Sequence, residues 1–348
     1  MINGKIDLRS DTVTHPTPAM REAMAKAELG DDVLGDDPTV RRLEEQAAER
    51  LGHAAGLFVA SGTMGNLVAL LAHCARGDEV IAGDQSHTIG HEQGGMAALG
   101  GIVPHAIPNQ PDGTLRLEDV EDAIQPDDTQ SVRTRLICIE NTHNAMGGVP
   151  LTADYTRAVA MLANRRGLKL HVDGARIFNA AVALGVPVSD LTRDADSVTF
   201  CLSKGLSAPI GSVLCGSKEF IRAAHRARKV VGGGLRQVGV LAAAGLVALD
   251  TMVERMAVDH ANAKRLAEGL ADTPDFVVDP DLVRTNMVYF ELAPEVTIDA
   301  PEVERRLADR GVLLFAVGKR RFRAVTHAWV TRDEIDRALL AFRSVLAN

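Results

Sequence analysis

The sequence predicts an α/β protein with a mostly parallel central sheet that is flanked by helices, followed by a smaller α+β unit. Short β-branched segments alternate with amphipathic segments from about residue 55 to residue 215, which is typical of a parallel sheet with helical crossovers. A long alanine-rich segment follows Gly234, and it separates this region from the remaining elements. The chain of 348 residues also exceeds the usual size of one hydrophobic core, so we expect two domains.

Seven segments of the first region are predicted strands, because they are short and rich in β-branched residues. In chain order they are GLFVAS, EVIAG, GIVPHAI, RLICIEN, LKLHVD, DSVTFCLS and GSVLCG. Helical spacing is found in the intervening segments NLVALLAHCA, LEDVEDAI, YTRAVAMLANRRG and ARIFNAAVALG, several of which end at glycine. We expect the crossovers between parallel strands to be right-handed.

The alanine-rich segment LRQVGVLAAAGLVALDTMVERMAVDHANAKRLAEGLA is predicted to be one long or kinked helix that leads out of the sheet domain. The remainder has predicted strands at MVYFEL, VLLFAV and FRAVTH, and predicted helices at PEVERRLADRG and TRDEIDRALLAFRSVL. We therefore divide the chain into a large domain at residues 1–250 and a small α+β domain at residues 251–348.

The composition argues against several kinds of partner. The net charge is −8 and no basic run is interleaved with aromatic residues, so nucleic acid is not an expected partner. No apolar stretch is long enough to span a bilayer and the N-terminus has no leader pattern, so we expect a cytoplasmic protein. Four dispersed cysteines without a CxxC motif indicate reduced thiols. No metal site is predicted, because HEQGG lacks the second histidine of a zinc protease helix.

Two charged residues follow predicted strands of the sheet. Asp173 ends LKLHVD and Lys204 follows DSVTFCLS, and ligands of open α/β sheets bind at the carboxyl edge of the strands. Considered alone, Asp173 fits a cap of the next helix better than a functional role. Lys204 lies at the end of an apolar run, where desolvation favours the neutral amine that forms an imine with an aldehyde.

A third element is the segment Ser61, Gly62 and Thr63, which lies between a predicted strand and a predicted helix. Backbone N–H groups at a helix start, together with the hydroxyls, can hold a phosphate, so we call this segment the phosphate cup. By itself it also fits an ordinary helix cap. Together with Asp173 and Lys204 it predicts pyridoxal phosphate, held by its phosphate, ring nitrogen and aldehyde.

Further motifs are spread over nearly the whole chain. They are DLRSDTVT, GDDVLGDDPTV, SGTMGNLVALLAHC, ENTHN, HVDGARIFNA, CLSKGLSAPIGS, GGGLRQVGVLAAAG and RAVTH. In these segments the chain resembles the low-specificity L-threonine aldolases, which are fold type I pyridoxal phosphate enzymes of the aspartate aminotransferase-like class. The resemblance implies cleavage of L-threonine, L-allo-threonine and related β-hydroxy-α-amino acids to glycine and an aldehyde. It also implies a homotetramer with active sites at dimer interfaces.

The resemblance assigns roles to the residues already singled out. Lys204 in SKG would bind the cofactor covalently as a Schiff base, with Ser203 beside it. Asp173 would pair with the pyridinium nitrogen and so make the ring an electron acceptor. His87 would stack on the cofactor face near the substrate hydroxyl, where it is our candidate base, although a histidine in a helix-start loop also fits.

The resemblance also implies which residues bind the substrate carboxylate and the cofactor phosphate. Ser10, Arg176 and Arg323 would hold the carboxylate. Because Ser10 lies near the N-terminus, residues 1–20 would form an N-terminal segment that contributes to the site. Lys229 and Arg236, on either side of the triple glycine, would reach a phosphate across a subunit interface, although RARK also fits a solvated helix face.

Three residues depart from the family pattern. Leu34 replaces a frequent tyrosine, Gln130 replaces a histidine that is common in that loop, and His91 occupies a position where an aromatic side chain is common. The loss of a histidine at Gln130 removes one candidate base. His91 would make the pocket near the substrate side chain more polar, and a solvated loop histidine fits it equally well.

Two rival functions remain open from the sequence. Another fold type I activity, such as β-elimination or transamination, would use the same cofactor site. A nucleotide-binding module has less support, because no GxGxxG motif follows a strand and GSVLCGSK has its terminal residues in the wrong order for a P-loop.

Overall fold

The computed structural model describes residues 4–346. Its strands are β1 (Ile6–Asp7), β2 (Ala55–Val59), β3 (Asp78–Gly83), β4 (Val103–Ile107), β5 (Arg133–Glu140), β6 (Lys169–Asp173), β7 (Ser197–Cys201), β8 (Ser212–Gly216), β9 (Phe276–Val277), β10 (Met287–Leu292), β11 (Val312–Leu313), β12 (Phe315–Ala316) and β13 (Arg321–Val325). All seven strands predicted from the first region are present, as β2 to β8.

The helices alternate with these strands in the first 216 residues, as the sequence predicts. They are α1 (Pro18–Ala25), α2 (Pro38–Leu51), α3 (Gly62–His73), α4 (His87–Gly90), α5 (Gly95–Gly100), α6 (Leu117–Ala123), α7 (Ala153–Arg165), α8 (Ile177–Leu184), α9 (Val188–Thr192), α10 (Lys218–Val230), α11 (Gly239–Thr251), α12 (Met256–Ala271), α13 (Ala300–Asp309) and α14 (Arg332–Ser344). Short 3-10 helices lie at Asp11–Val13, Asp32–Leu34 and Pro280–Leu282. No helix of the described part of the chain has the length and apolar character needed to cross a bilayer.

The large sheet has seven strands in the order β2-β8-β7-β6-β5-β3-β4. The strands from β7 to β4 are parallel, whereas β8 is antiparallel to both of its neighbours, β2 and β7. The sheet is therefore mostly parallel, as predicted. Because β3, β5, β6 and β7 are parallel neighbours, the segments that follow them meet at one carboxyl edge.

Both faces of this sheet are covered, which explains the continuous apolar runs of its strands. Successive residues of β2 show this, because Phe58 packs in one hydrophobic cluster while Leu57 and Val59 pack in another. In β3, Ile81 and Val80 likewise belong to clusters on opposite faces. The sheet is thus the central layer of a three-layer arrangement and gives a rigid base for its carboxyl edge.

The C-terminal region contains a four-stranded sheet in the order β12-β13-β10-β9, in which every pair is antiparallel. The segment VLLFAV, where a strand was expected, contains two short strands, β11 and β12. The two parts have different partners: β12 pairs with β13, whereas β11 pairs with β1 in parallel register, with Ile6 opposite Val312. Because the segment is interrupted at Leu314, its two parts pair with strands of two different small sheets.

The N-terminal segment packs with the C-terminal region. Ile6 and Leu8 are buried in the same hydrophobic cluster as Leu266, Phe290 and Phe342. The sequence alone favours placing these N-terminal residues in the large domain, since no local pattern indicates that a two-residue strand pairs with a segment 306 positions further along. This packing ties residues 9–11 to the smaller unit.

The alanine-rich segment forms two helices. α11 ends at Thr251 and α12 begins at Met256, so the interruption lies close to the predicted domain boundary at residue 250. α11 packs against α1 and α2, and α12 packs against α14 and β10. Apart from Met256 at its start, the buried apolar side chains of α12 lie in a different hydrophobic cluster from those of α11.

Candidate active site

Four polar segments converge at the carboxyl edge of the large sheet. β6 ends at Asp173, β7 is followed by Lys204, β3 is followed by His87, and β5 ends at Glu140. Glu140 lies directly opposite Asp173 in the β5–β6 register, and its Oε2 accepts a hydrogen bond of 2.7 Å from the backbone N–H of His87. The sheet therefore brings Asp173 and His87 together, although 86 residues separate them in the sequence.

Asp173 is buried and its carboxylate is held in place by two donors. Its Oδ2 accepts a hydrogen bond of 2.8 Å from Nδ2 of Asn66 on α3, and its Oδ1 accepts one of 3.0 Å from the backbone N–H of Ala175. An ionised carboxylate can accept about four hydrogen bonds, so it retains capacity for a further donor such as a ring N–H.

His87 lies half-buried at the start of α4 and pairs with Glu92. The distance from Nδ1 of His87 to Oε1 of Glu92 is 2.8 Å. This hydrogen bond raises the pKa of His87 above its usual value, against the opposing effect of burial. Burial in turn raises the pKa of Glu92. The ring of His91 lies 5.6 Å from the ring of His87, so His91 borders the same pocket.

The phosphate cup has the predicted geometry of a helix start. Ser61 caps α3 by accepting a hydrogen bond of 3.1 Å from the backbone N–H of Met64, and both Ser61 and Thr63 are exposed. A Cβ atom at Gly62 would lie 2.8 Å from Sγ of Cys201, so a side chain here would force the helix start away from the end of β7. Glycine therefore brings the positive end of the α3 dipole close to the edge where Lys204 lies.

Lys204 is half-buried in the turn after β7. Its backbone carbonyl accepts hydrogen bonds from Oγ1 of Thr14 and from the backbone N–H of Ser207, which fix the main chain. Within residues 4–346 no group forms a hydrogen bond or ion pair with its Nζ. The positive charge of Lys204 helps to lower the pKa of Asp11 and offsets part of the rise in the pKa of His87. Ser203 is also half-buried, next to this turn.

Arg323 reaches from β13 of the smaller unit towards the N-terminal segment. Its Nη1 donates to Oδ1 of Asn144 and its Nη2 donates to the backbone carbonyl of Arg9, both at 3.2 Å. Its Nε is buried and has no hydrogen-bond partner in the described part of the chain. Arg323 thus lies beside Ser10, although their positions in the sequence are far apart.

Arg176 is buried and is already paired with a carboxylate of the protein. Its Nε and Nη2 donate to the two oxygens of Asp11, each at 2.7 Å, and Asp11 also accepts from Ser10 and Asn286. Although burial opposes ionisation, the Arg176 guanidinium holds the pKa of Asp11 well below its usual range. Arg176 and Arg323 therefore both contact residues 9–11, which include Ser10, and two of the five N–H groups of Arg176 are already used by Asp11.

The two residues predicted to reach a phosphate across an interface are both exposed. Lys229 is exposed near Gly234, and it lines a cavity of about 680 Å³ together with Val33 and Leu71. Arg236 is exposed and forms an ion pair of 2.8 Å with Asp31. Within residues 4–346, no hydrogen bond or ion pair joins either side chain to the phosphate cup.

The three residues that depart from the family pattern have different surroundings. Leu34 is 70% exposed at the end of a 3-10 helix, which leaves an apolar side chain on the surface. Gln130 is exposed in the loop before β5, where its backbone N–H donates to Asp128. His91 is the member of the three that borders the site.

Sequence reasoning missed four buried polar residues of this region. Asn66, Glu92 and Asp11 hold Asp173, His87 and Arg176 respectively. Arg228 forms a buried ion pair of 2.8 Å with Asp32 and donates to the carbonyl of Phe58. Asn66 lies in SGTMGN and Glu92 lies five residues after His87. The signal that could have indicated them is that each is an amide or charged residue close to a residue already singled out.

The chain was compared with known families and curated proteins. The family model described as Beta-eliminating lyase matches residues 7–293. Low-specificity L-threonine aldolase 1 of Arabidopsis thaliana is 48% identical over 349 residues, which cover 99% of this chain and 98% of that protein. The low specificity L-threonine aldolase of Escherichia coli strain K12 is 46% identical over 343 residues, covering 99% of this chain and all of that protein.

Solved structures show the same fold at lower identity. A threonine aldolase of Leishmania major aligns with a TM-score of 0.80 at 20% identity and covers 98% of this chain and 99% of that one. Serine palmitoyltransferase of Sphingomonas wittichii aligns with a TM-score of 0.75 at 17% identity, covering 98% and 87%. The predicted fold type I architecture is confirmed. The chain belongs to the beta-eliminating lyase family, and its relatives over nearly the whole length are low-specificity L-threonine aldolases.

Proposed function

We propose that this protein is a pyridoxal phosphate-dependent aldolase. It cleaves L-threonine, L-allo-threonine and related β-hydroxy-α-amino acids to glycine and an aldehyde. The observation that carries the proposal is the convergence of Lys204, Asp173, His87 and the phosphate cup at one sheet edge. The 48% identity to a curated low-specificity L-threonine aldolase over nearly the full chain supports the same reaction.

The residues at this edge fit pyridoxal phosphate. The Nζ of Lys204 has no partner within the described chain, as a group that binds an aldehyde covalently requires. The Asp173 carboxylate has spare acceptor capacity for the ring nitrogen, and Ser61, Gly62 and Thr63 offer a helix start for the phosphate. When bound, the cofactor supplies a ring that accepts the electrons of the breaking bond.

The protein's own residues orient the substrate and move protons. Ser10 and Arg323 bind the substrate carboxylate, and the remaining guanidinium N–H groups of Arg176 add to the positive field there. Holding the carboxylate would fix the orientation in which the Cα–Cβ bond is held at the site, which determines which bond breaks. His87 takes the proton of the β-hydroxyl, directly or through a water molecule, and Glu92 stabilises the charged imidazolium that results.

Analysis of the reaction products tests the proposal. The wild-type protein, loaded with pyridoxal phosphate, is incubated separately with L-threonine and with L-allo-threonine. We expect glycine and acetaldehyde in equal amounts from at least one diastereomer. 2-Oxobutanoate with ammonia would instead indicate β-elimination, and a keto acid with an aminated cofactor would indicate transamination; either result without glycine would contradict the proposal.

The role of His87 is tested separately. His87→Asn should slow the cleavage by about 10²-fold or more, because a positioned general base contributes roughly that factor, while cofactor uptake remains. His105→Asn is the control, because His105 pairs with Glu79 on the sheet instead of facing the site. Unchanged turnover of the His87 variant would remove this residue from the mechanism.

We also propose that the protein forms a homotetramer with sites at dimer interfaces and that it functions in the cytoplasm. Two apolar side chains near the cavity beside Lys229 support association: Leu34 is 70% exposed and Val230 is 84% exposed. Sedimentation equilibrium tests the oligomer, since a monomer at working concentration would contradict it. The cytoplasmic location is consistent with four unpaired cysteines and is tested by cell fractionation.

A further inference from the structure

The side chain of Asn66 lies between two buried carboxylates of the active site. Its Nδ2 donates to Oδ2 of Asp173 at 2.8 Å and to Oε1 of Glu92 at 2.9 Å, and Asn66 itself is 1% exposed. An amide nitrogen has two hydrogens, so both are used. The opposite orientation of the amide would place its oxygen against two carboxylate oxygens, so only the observed orientation is favourable.

A chain of buried side chains holds the other end of this amide. Nε2 of His171 lies 3.2 Å from Oδ1 of Asn66, and Nδ1 of His171 lies 2.8 Å from Oγ of Ser197. The same hydroxyl lies 2.7 Å from Nε2 of His73, near the far end of α3. We call Asn66, His171, Ser197 and His73 the amide relay.

The donors and acceptors of the amide relay have one consistent direction. Because Oδ1 of Asn66 can only accept, Nε2 of His171 must carry the hydrogen. Burial lowers the pKa of His171 to about 4, so its ring is neutral at pH 7 and its Nδ1 accepts from the Ser197 hydroxyl. That hydroxyl then accepts from His73, whose pKa is lowered to about 3 by burial. The direction of each hydrogen bond is therefore fixed by its neighbour, from His73 to the Asn66 amide that donates to the two carboxylates.

Asn66 also separates two groups that would otherwise repel each other. Ligand atoms of Asp173, Glu92 and His87 lie within 4.8 Å of one another, and both carboxylates are buried. Two carboxylates at this distance favour uptake of a proton by one of them unless a donor lies between. In the described chain, Asn66 is the side chain that donates to both.

We propose that Asn66 is a positioning residue that aims the Asp173 carboxylate at the ring nitrogen of the cofactor and keeps it apart from Glu92, with the amide relay fixing its orientation. The inference rests on the proposed function, because it requires pyridoxal phosphate at this site. Asn66 and the relay act through Asp173 and do not contact the reacting atoms. The residues proposed to bind the substrate carboxylate are not part of this role, so we expect a substitution of Asn66 to change cofactor binding.

The main test compares cofactor binding in the wild type and in Asn66→Asp, which has nearly the same shape but replaces the donor with an acceptor. Pyridoxal phosphate is titrated into the apoenzyme, and its visible absorption band and dissociation constant are measured. We expect binding to weaken about tenfold or more and the band to shift, because Asp173 loses its donor and faces a further carboxylate. A folded variant with the wild-type dissociation constant and band would overturn the proposal.

A matched pair on β7 tests the relay in case Asn66→Asp does not fold. Ser197 and Thr199 are both fully buried hydroxyl residues two positions apart on the same face of β7, but the Thr199 hydroxyl has no hydrogen-bond partner within the described chain. Ser197→Ala should shift the absorption band in the same direction as Asn66→Asp by a smaller amount, and Thr199→Val should leave it unchanged. Identical spectra for the two variants would contradict the relay.

The wild type separates the two proposals. If the wild-type protein takes up no pyridoxal phosphate at Lys204, the proposed function fails, and the positioning role fails with it. If the wild type binds the cofactor and produces glycine while Asn66→Asp and Ser197→Ala bind it with wild-type affinity and spectrum, only the positioning role is overturned. Circular dichroism and the Tm of each apoenzyme show whether a loss of binding reflects unfolding.

Discussion

Two groups of residues in the active site differ in how far their polar atoms are satisfied by the protein. Asp173, Glu92 and Asp11 are buried carboxylates that each have donors from other side chains, and we call them the paired side. Lys204 and Arg323 form the open side, because Nζ of Lys204 and Nε of Arg323 have no hydrogen-bond partner among residues 4–346.

The difference shows which interactions exist before a ligand arrives. The paired side is complete in the folded chain, so a substitution there leaves a buried charge without its partner and should reduce stability. On the open side, Nζ of Lys204 and Nε of Arg323 gain a partner only from cofactor or substrate. A substitution at Lys204, and one at Arg323 that keeps its charge, should therefore reduce activity more than stability. The following variants test this contrast.

The largest effect is expected on the open side, from Lys204→Ala. Without the covalent attachment point, threonine cleavage should fall at least about a thousandfold. The Tm of the apoenzyme should stay within a few degrees of the wild type, because Nζ has no partner to lose. Lys218→Ala, an exposed lysine on α10, is the control for both measurements. A large fall in the Tm of the Lys204 variant would contradict the division into paired and open sides.

On the paired side, Asp11→Asn should destabilise the protein. The substitution leaves the buried Arg176 guanidinium without its counter-charge, which typically costs about 3–5 kcal/mol in the free energy of unfolding. Urea unfolding of the apoenzyme measures this. Asp250→Asn, which breaks the surface pair with Arg50, is the control and should cost less than about 1 kcal/mol.

The Asp11 pair also predicts a dependence of stability on pH. The pKa of Asp11 is lowered in the folded state, so its contribution is present at neutral pH and is lost as the pH falls below its ordinary value of 3.8. The wild type should therefore lose more free energy of unfolding between pH 5 and pH 3 than Asp11→Asn loses. This range extends roughly one pH unit on each side of the ordinary pKa of an aspartate. Curves of stability against pH that run parallel for the two proteins would contradict the stabilising pair of Asp11 with Arg176.

Arg323→Lys should act mainly on substrate binding. A lysine keeps the positive charge but loses the planar fork that binds a carboxylate bidentately, so we expect the KM for threonine to rise about tenfold or more. Arg321→Lys is the matched control, because Arg321 lies two residues away on β13 and stacks over the ring of Tyr289. Equal KM values for the two variants would exclude Arg323 as a carboxylate-binding residue.

The smallest effect is expected from Glu92→Gln. The hydrogen bond that His87 donates to Glu92 is the main cause of the raised pKa of His87, so its loss should lower that pKa. Because the neutral imidazole is the base, the acidic limb of the pH-rate profile should move to lower pH by up to about one unit. Glu79→Gln, which removes the partner of His105 on the sheet, is the control. An unmoved limb would show that Glu92 does not act on His87.

The sequence predicted the large sheet well because its strands are buried on both faces and therefore read as continuous apolar runs. β2 to β8 were all located from this local pattern, as were the phosphate cup and the positions of Asp173 and Lys204 at strand ends. The sequence did not predict that β1 pairs with β11 or that VLLFAV is divided into two strands. Both depend on partners distant in the sequence, which periodicity does not report.

The candidate site was predicted less completely, for the same reason. Residues that lie at strand ends, such as Asp173, follow from local pattern, whereas their hydrogen-bond partners do not. Asn66 lies 107 positions from Asp173, and Asp11 lies 165 positions from Arg176. The resemblance to a family indicated Arg176 as a carboxylate-binding residue but gave no sign that Asp11 already occupies its fork. Partners of this kind require the folded structure.

The central claim is that the amine of Lys204, left without a partner by the protein, binds the cofactor aldehyde. The most direct measurement is reduction of the cofactor-loaded wild type with borohydride, followed by proteolysis and mass spectrometry of the labelled peptide. The pyridoxyl group should be found on Lys204 at close to one equivalent per chain and should be absent from Lys204→Ala. A label on another lysine, or no label in a protein that cleaves threonine, would contradict the account.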